Sequence, residues 1–131
     1  MMMKKILIVD DDVDIIELVK NRLTKNNYAV IFSNTGADGF IKAIEQKPDL
    51  IIMDVMMPNL SGGEVVKLLK SNSSTQNIPV LFFTALATNA PNSNALDEIN
   101  VGGHLFPAIT KPFEPTKLLS AIKLLIDHRP S

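Results

Sequence analysis

Five short aliphatic runs, "KKILIVD", "YAVIFS", "PDLIIMD", "PVLFFTA" and "HLFPAIT", alternate along this chain with amphipathic stretches, and that alternation constrains the fold more than any other feature. A strand buried on both faces reads as an unbroken apolar run, and strands separated by amphipathic helices pack as a parallel sheet covered on both sides. The expected class is therefore α/β with a doubly wound parallel sheet of five strands. Right-handed crossovers then bring the strand carboxyl ends to one edge, where open α/β sheets bind ligands.

The intervening stretches carry helix signals of their own. Residues 13–25 place Ile16, Val19 and Leu23 on one stripe, with Asp12 in N-cap position. Thr35 and Gly36 introduce a second helix over 37–46, and Ser61 with Glu64 has capping-box spacing ahead of a third from about Gly63 to Lys70. Pro115 sits at a first-turn position before "TKLLSAIKLLIDH", where Leu118, Leu119, Ile122, Leu125 and Ile126 form one apolar face. Between the fourth and fifth strands, "LATNAPNSNALDEINVGG" has only a weak helical stripe through Leu96 and Ile99, and a short or irregular helix is predicted there. Pro107 would demote the fifth strand to an edge.

A length of 131 residues fits a single domain spanning 1–131. The net charge of -1 gives no electrostatic reason to bind nucleic acid or anionic lipid. With no cysteine, disulfides, thiolate zinc sites and cysteine nucleophiles are excluded. The apolar runs are too short to span a bilayer, and "MMMKK" is followed by no secretory-type apolar region, so a cytoplasmic protein without a membrane partner is expected. The chain stops at "IDHRPS" after its last helix, which leaves no room for an effector domain within it.

The chemistry gathers at the strand ends. Asp10 and Asp11 close the first strand and Asp54 the third, and in a doubly wound sheet those ends are neighbours. Converging carboxylates repel one another unless a hard cation shares their oxygens, and magnesium suits few carboxylates plus several waters. Thr84 closes the fourth strand and Lys111 follows the fifth, adding a hydroxyl and an ammonium. A nucleophilic carboxylate, a hydroxyl, an amine and a cation make a phosphoryl site, because phosphoryl transfer needs mainly positioning and charge neutralisation. Asp12 reads as a helix cap rather than a ligand, His104 and His128 lack partners at ligand spacing, and Met56 and Met57 read as loop packing.

"ILIVDDD", "LIIMDVMMPNLSGGE", "FFTALA" and "ITKPF", in that order and over nearly the whole chain, resemble the motifs of response-regulator receiver domains of two-component signal transduction. The resemblance implies a flavodoxin-like fold of strand order 2-1-3-4-5. It implies Asp54 as phosphoacceptor, Asp10, Asp11 and Asp54 with the Met56 backbone carbonyl around Mg2+, Thr84 as switch hydroxyl, and Lys111 contacting the phosphoryl group through a loop with a cis bond to Pro112. The implied partners are a histidine kinase or phosphotransfer protein and a downstream protein, with a homodimer as an option, and the chemistry is self-phosphorylation and dephosphorylation rather than turnover of a metabolite.

Two features depart from the family. The aromatic residue usual three positions before the conserved lysine is Ala108 here, with Phe106 two residues earlier on the same strand face as a substitute. The stretch from Thr84 to Lys111 is longer than usual and poor in helix. The competing readings are a pseudo-receiver that binds protein without being phosphorylated and a haloacid-dehalogenase-like phosphohydrolase, formally matched by Asp10 and Asp12. A flavin protein is a further one, for which the first strand lacks a Ser/Thr-rich phosphate loop. Met56 and Leu86, two residues after Asp54 and Thr84, cannot orient an attacking water by hydrogen bonding, so a long-lived phosphoryl state is expected.

Overall fold

The computed structural model describes residues 3–84 and 97–127. Strands β1 (Lys5–Val9), β2 (Ala29–Ser33), β3 (Leu50–Met53) and β4 (Val80–Thr84) alternate with helices α1 (Val13–Lys25), α2 (Gly36–Gln46) and α3 (Gly62–Ser71). Then come β5 (Asp97–Val101), β6 (His104–Thr110) and α4 (Pro115–Asp127). The sheet order is β2-β1-β3-β4-β6-β5, and every pairing is parallel except β5 with β6.

The alternation of side chains along each strand divides the core in two. Ile6, Ile8, Leu50, Ile52, Leu81, Phe83 and Ile109 face α1 and α4, meeting Ile16, Val19, Leu23, Leu118 and Ile122. Leu7, Val9, Ile51, Met53, Val80 and Phe82 face the other way, onto Ala43, Val65, Val66 and Leu69 of α2 and α3. The doubly wound class and the order of the five parallel strands are thus as expected. The helix starts hold too. Asp12 Oδ1 accepts from the Asp14 and Ile15 amides, Thr35 caps α2, and Ser61 with Glu64 closes a reciprocal capping box.

Two expectations are corrected. The sheet has six strands rather than five, because residues 97–101 of the predicted irregular helix form an antiparallel strand instead. Ile99 and Val101 alternate inward with period two and are buried at 8% exposure each, while Gly102 and Gly103 take φ of +60° and +88° in a two-residue hairpin loop. The remainder of that predicted helix, including Leu96, lies outside the described residues.

The second correction concerns Pro107, whose strand is interior rather than an edge. A two-residue loop makes Val101 and His104 a hydrogen-bonded pair, so alternation leaves Glu98 and Pro107 a non-hydrogen-bonded one. Pro107 therefore needs no N–H toward β5, and on its other side pairing with β4 begins only at Ala108. Among the described residues no helix is long and apolar enough to cross a membrane.

Candidate functional site

Backbone pairing carries each candidate side chain to the carboxyl edge of the sheet. The Asp10 amide donates to the Ser33 carbonyl at 3.1 Å, the Asp54 amide to the Val9 carbonyl at 3.1 Å, and the Lys111 amide to the Thr84 carbonyl at 2.9 Å. Each bond extends a parallel ladder by one step, so the residues that end the strands end them side by side. Asp10, Asp11 and Asp54 each offer a carboxylate oxygen, and these oxygens all lie within 4.8 Å of one another. Asp10 and Asp54 are buried, whereas Asp11 faces solvent.

Lys111 Nζ enters this cluster, 3.1 Å from Asp10 Oδ2 and 3.1 Å from Asp54 Oδ2. Asp10 Oδ1 accepts from the Asp12 amide at 2.9 Å, and Asp54 Oδ1 accepts from the Met56 amide at 3.2 Å. Burial raises the Asp10 carboxyl above its usual range, and the Asp12 amide and Lys111 oppose that without cancelling it. Burial also works against the Lys111 charge, yet its bonds and attraction to Asp10 and Asp54 prevail and its pKa is raised. Three carboxylates facing one ammonium leave two negative charges unmatched. A divalent oxygen-seeking cation supplies that charge, so the donor set fits magnesium.

Residues that the sequence did not single out shape the cleft. Lys111 Nζ lies 5.4 Å from the centre of the Phe83 ring, which in turn meets Phe113 edge-on at 5.6 Å. The "KPF" triplet thus positions its lysine with its own aromatic residue, and the Lys111–Pro112 bond is cis as expected. Gly62 lies under the Asp54 loop, where a Cβ would come within 2.6 Å of the Asp54 carbonyl oxygen.

Thr84 is buried at the end of β4, on the strand face it shares with Phe82. Phe106 packs edge-on against that Phe82 ring at 5.4 Å and 83°, and it joins the cluster that contains Ala108, so the two do share a face. Met57 packs into the core, but Met56 is 68% exposed, which corrects the packing role expected for it. Its carbonyl belongs to the loop that follows Asp54. Asp12 serves as cap and His104 is exposed, as expected; Leu86 and His128 lie outside the described residues.

Residues 6–123 match the family model for the response regulator receiver domain. The chain belongs to that family. Among relatives of this receiver, the alkaline phosphatase synthesis transcriptional regulatory protein PhoP of Bacillus subtilis is 35% identical over 95% of this chain and 49% of its own length. The receiver spans about half the length of the curated relatives it matches. The chemotaxis response regulator CheY4 of Vibrio cholerae is similar in structure, with 30% identity and a TM-score of 0.77 over 95% of this chain and 99% of that one. The receiver domain of sensor histidine kinase PA1611 from Pseudomonas aeruginosa PAO1, which has a magnesium ion coordinated in its active-site cleft, superposes with a TM-score of 0.81. It covers 96% of this chain and 99% of its own, and at 22% identity the likeness is one of fold.

Proposed function

We propose that residues 1–131 act as a single phospho-accepting receiver, with Asp54 taking a phosphoryl group from a histidine kinase or phosphotransfer protein. The observation that carries this reading is the convergence of Asp10, Asp11 and Asp54 within 4.8 Å, with the Lys111 ammonium bonded to two of them. In the reaction an Asp54 carboxylate oxygen bonds to phosphorus as the bond from phosphorus to the donor breaks, leaving an acyl phosphate on the protein. Asp10, Asp11, Asp54 and the Met56 carbonyl would hold Mg2+, which when bound neutralises charge on the transferring oxygens. Lys111 supplies positive charge beside Asp54, and Thr84 would offer a hydroxyl to the bound group.

Phosphorylation replaces one carboxylate charge with a larger one beside Lys111, and this change biases the surface that a downstream protein reads. The role is that of a switch; the chemistry is confined to the protein's own aspartate. A cytoplasmic location follows from such partners. The argument from charge against nucleic acid reaches no further than these residues, since PhoP is a transcriptional regulatory protein about twice as long.

Incubation with acetyl phosphate and Mg2+ tests the reading by mass spectrometry. A base-labile gain of one phosphoryl group is expected on the parent and none on Asp54→Asn. An unmodified parent would leave the chain a protein-binding pseudo-receiver.

A further inference from the structure

The register of the sheet puts an aromatic ring in the same row as the acids. Val9 pairs with Met53 and Met53 with Phe82, so the residues one step on, Asp10, Asp54 and Phe83, stand level across β1, β3 and β4, and Phe83 pairs in turn with Ile109 of β6. Val9, Met53 and Phe82 belong to the core under α2 and α3, so alternation turns the residues after them to the opposite face, where Phe83 and Ile109 pack under α1 and α4. Lys111 follows Ile109 by two residues and shares that face. Its ammonium, 3.1 Å from both Asp10 Oδ2 and Asp54 Oδ2, lies over the Phe83 ring at 5.4 Å from the centre. The ring is buried, and Phe113 meets it at 5.6 Å and 63°.

We propose that Phe83 is a positioning residue for phosphoryl transfer, its ring face holding the Lys111 ammonium beside Asp54; the inference rests on the reading of Asp54 as phosphoacceptor. A ring attracts a cation through its quadrupole, most strongly where water is excluded, and it does so without accepting a conventional hydrogen bond. The three N–H groups of the ammonium therefore stay available to oxygen, and they can turn from the carboxylates to an incoming phosphoryl group while the nitrogen keeps its place. A polar side chain at 83 would hold one of those N–H groups, and an aliphatic one would fill the space without attracting the charge. A cation shared by Asp10 and Asp54 would compete with the ammonium for their oxygens, but not for the ring. Phe83 thus does more than fill the core, and its contribution lies in the electrons of the ring face rather than in its volume.

Phe83→Leu would mix a lost ring with a cavity in the core, so the test replaces Phe83 in the full chain by mono-, di- and trifluorophenylalanine, introduced at that codon alone. Each fluorine draws electron density from the ring face and changes the volume little. The rate of adduct formation with acetyl phosphate and Mg2+ should fall stepwise along the series, by about fivefold at three fluorines. A second readout needs neither metal nor phosphate. Thermal unfolding in chelator should show the melting temperature falling with fluorination in the parent and staying level in Lys111→Met, a background that also cancels any effect on the contact with Phe113. Equal adduct rates along the series in a reactive protein would overturn the proposal alone, as would melting temperatures that respond to fluorination equally in the parent and in Lys111→Met. A parent that forms no adduct at all would instead remove the reading of Asp54, and the transfer role of Phe83 with it, whatever the unfolding series shows.

Discussion

Asp10 and Asp54 each hold Oδ2 at 3.1 Å from one shared ammonium, that of Lys111. The ammonium stands where two carboxylates at the edge of the core would otherwise face each other without a cation. Lys111→Met keeps the aliphatic stem and removes the charge, so the metal-free protein should lose about 1–3 kcal/mol of stability. Mg2+ should then raise the melting temperature of the variant more than that of the parent, because the ion would supply the missing charge. Thermal unfolding at constant ionic strength, with and without Mg2+, reads both effects. A variant as stable as the parent in chelator would show that the ammonium does not balance this pair.

Asp10 gives a pH dependence of known sign. Burial raises its folded carboxyl above the ordinary 3.8, so the folded state binds this proton more tightly than the unfolded chain does. Its contribution to stability therefore falls as pH rises from 3.8 through the raised value and stays low above it. Asp10→Asn mimics the protonated form and keeps an acceptor for the Asp12 amide. In chelator at pH 7 the variant should be more stable than the parent, with the advantage gone below about pH 3.8. Urea unfolding at the two pH values checks this. The same variant should lose most of the stabilisation that Mg2+ gives.

Gly62 tests how closely the α3 start is fitted to the Asp54 loop. An added Cβ would sit 2.6 Å from the Asp54 carbonyl oxygen, 2.9 Å from the Phe82 ring and 3.0 Å from Val55 Cα, two of which are backbone atoms unable to rotate away. Gly62→Ala should cost about 1–3 kcal/mol and also slow adduct formation with acetyl phosphate, because the loop that carries Asp54 has to shift. Gly103→Ala, where nothing lies within 4 Å but φ is +88°, should affect stability alone.

Asp10, Asp54, Thr84 and Lys111 were legible in the chain because each ends a strand whose apolar run is unmistakable, and parallel pairing then leaves them no option but adjacency. Asp12, Thr35 and Ser61 were legible because capping is local. The edge of the sheet was harder to read. Ile99 and Val101 alternate over too short a stretch to outweigh the Asn, Ser and Pro before them, although the Gly-Gly pair that follows is a hairpin signal in its own right. Phe83 beneath Lys111 could not be seen, since it depends on the turn from β6 into α4 rather than on any spacing. Pro107 misled because the rule that keeps proline at edges concerns a missing donor, and at this register no donor is required.

Ile99 decides between strand and helix at the edge. As a strand residue it packs into the core beside Phe106, so Ile99→Ala should destabilise the fold by about 2–3 kcal/mol. In a solvent-facing helix the same change would be neutral or mildly favourable, because alanine is the better helix former. Denaturant unfolding separates the outcomes, and a ΔΔG near zero would remove β5 from the sheet.

Met56 bears on how long a phosphoryl group would stay. It lies two residues beyond Asp54 with its side chain 68% exposed, and a thioether neither donates a strong hydrogen bond nor orients a water for attack on the acyl phosphate. Loss of the group then depends on a water that nothing at this position aligns, so the adduct formed with acetyl phosphate should persist for minutes or longer in magnesium buffer. Met56→Asn places an amide there able to hold that water, and should shorten the lifetime about tenfold, in the range general for positioning effects. The decay of the base-labile adduct, followed after removal of acetyl phosphate, measures both. Loss within seconds from the parent would mean that the protein aligns its water with some other group, and an unchanged lifetime in Met56→Asn would show that access at this position does not limit hydrolysis.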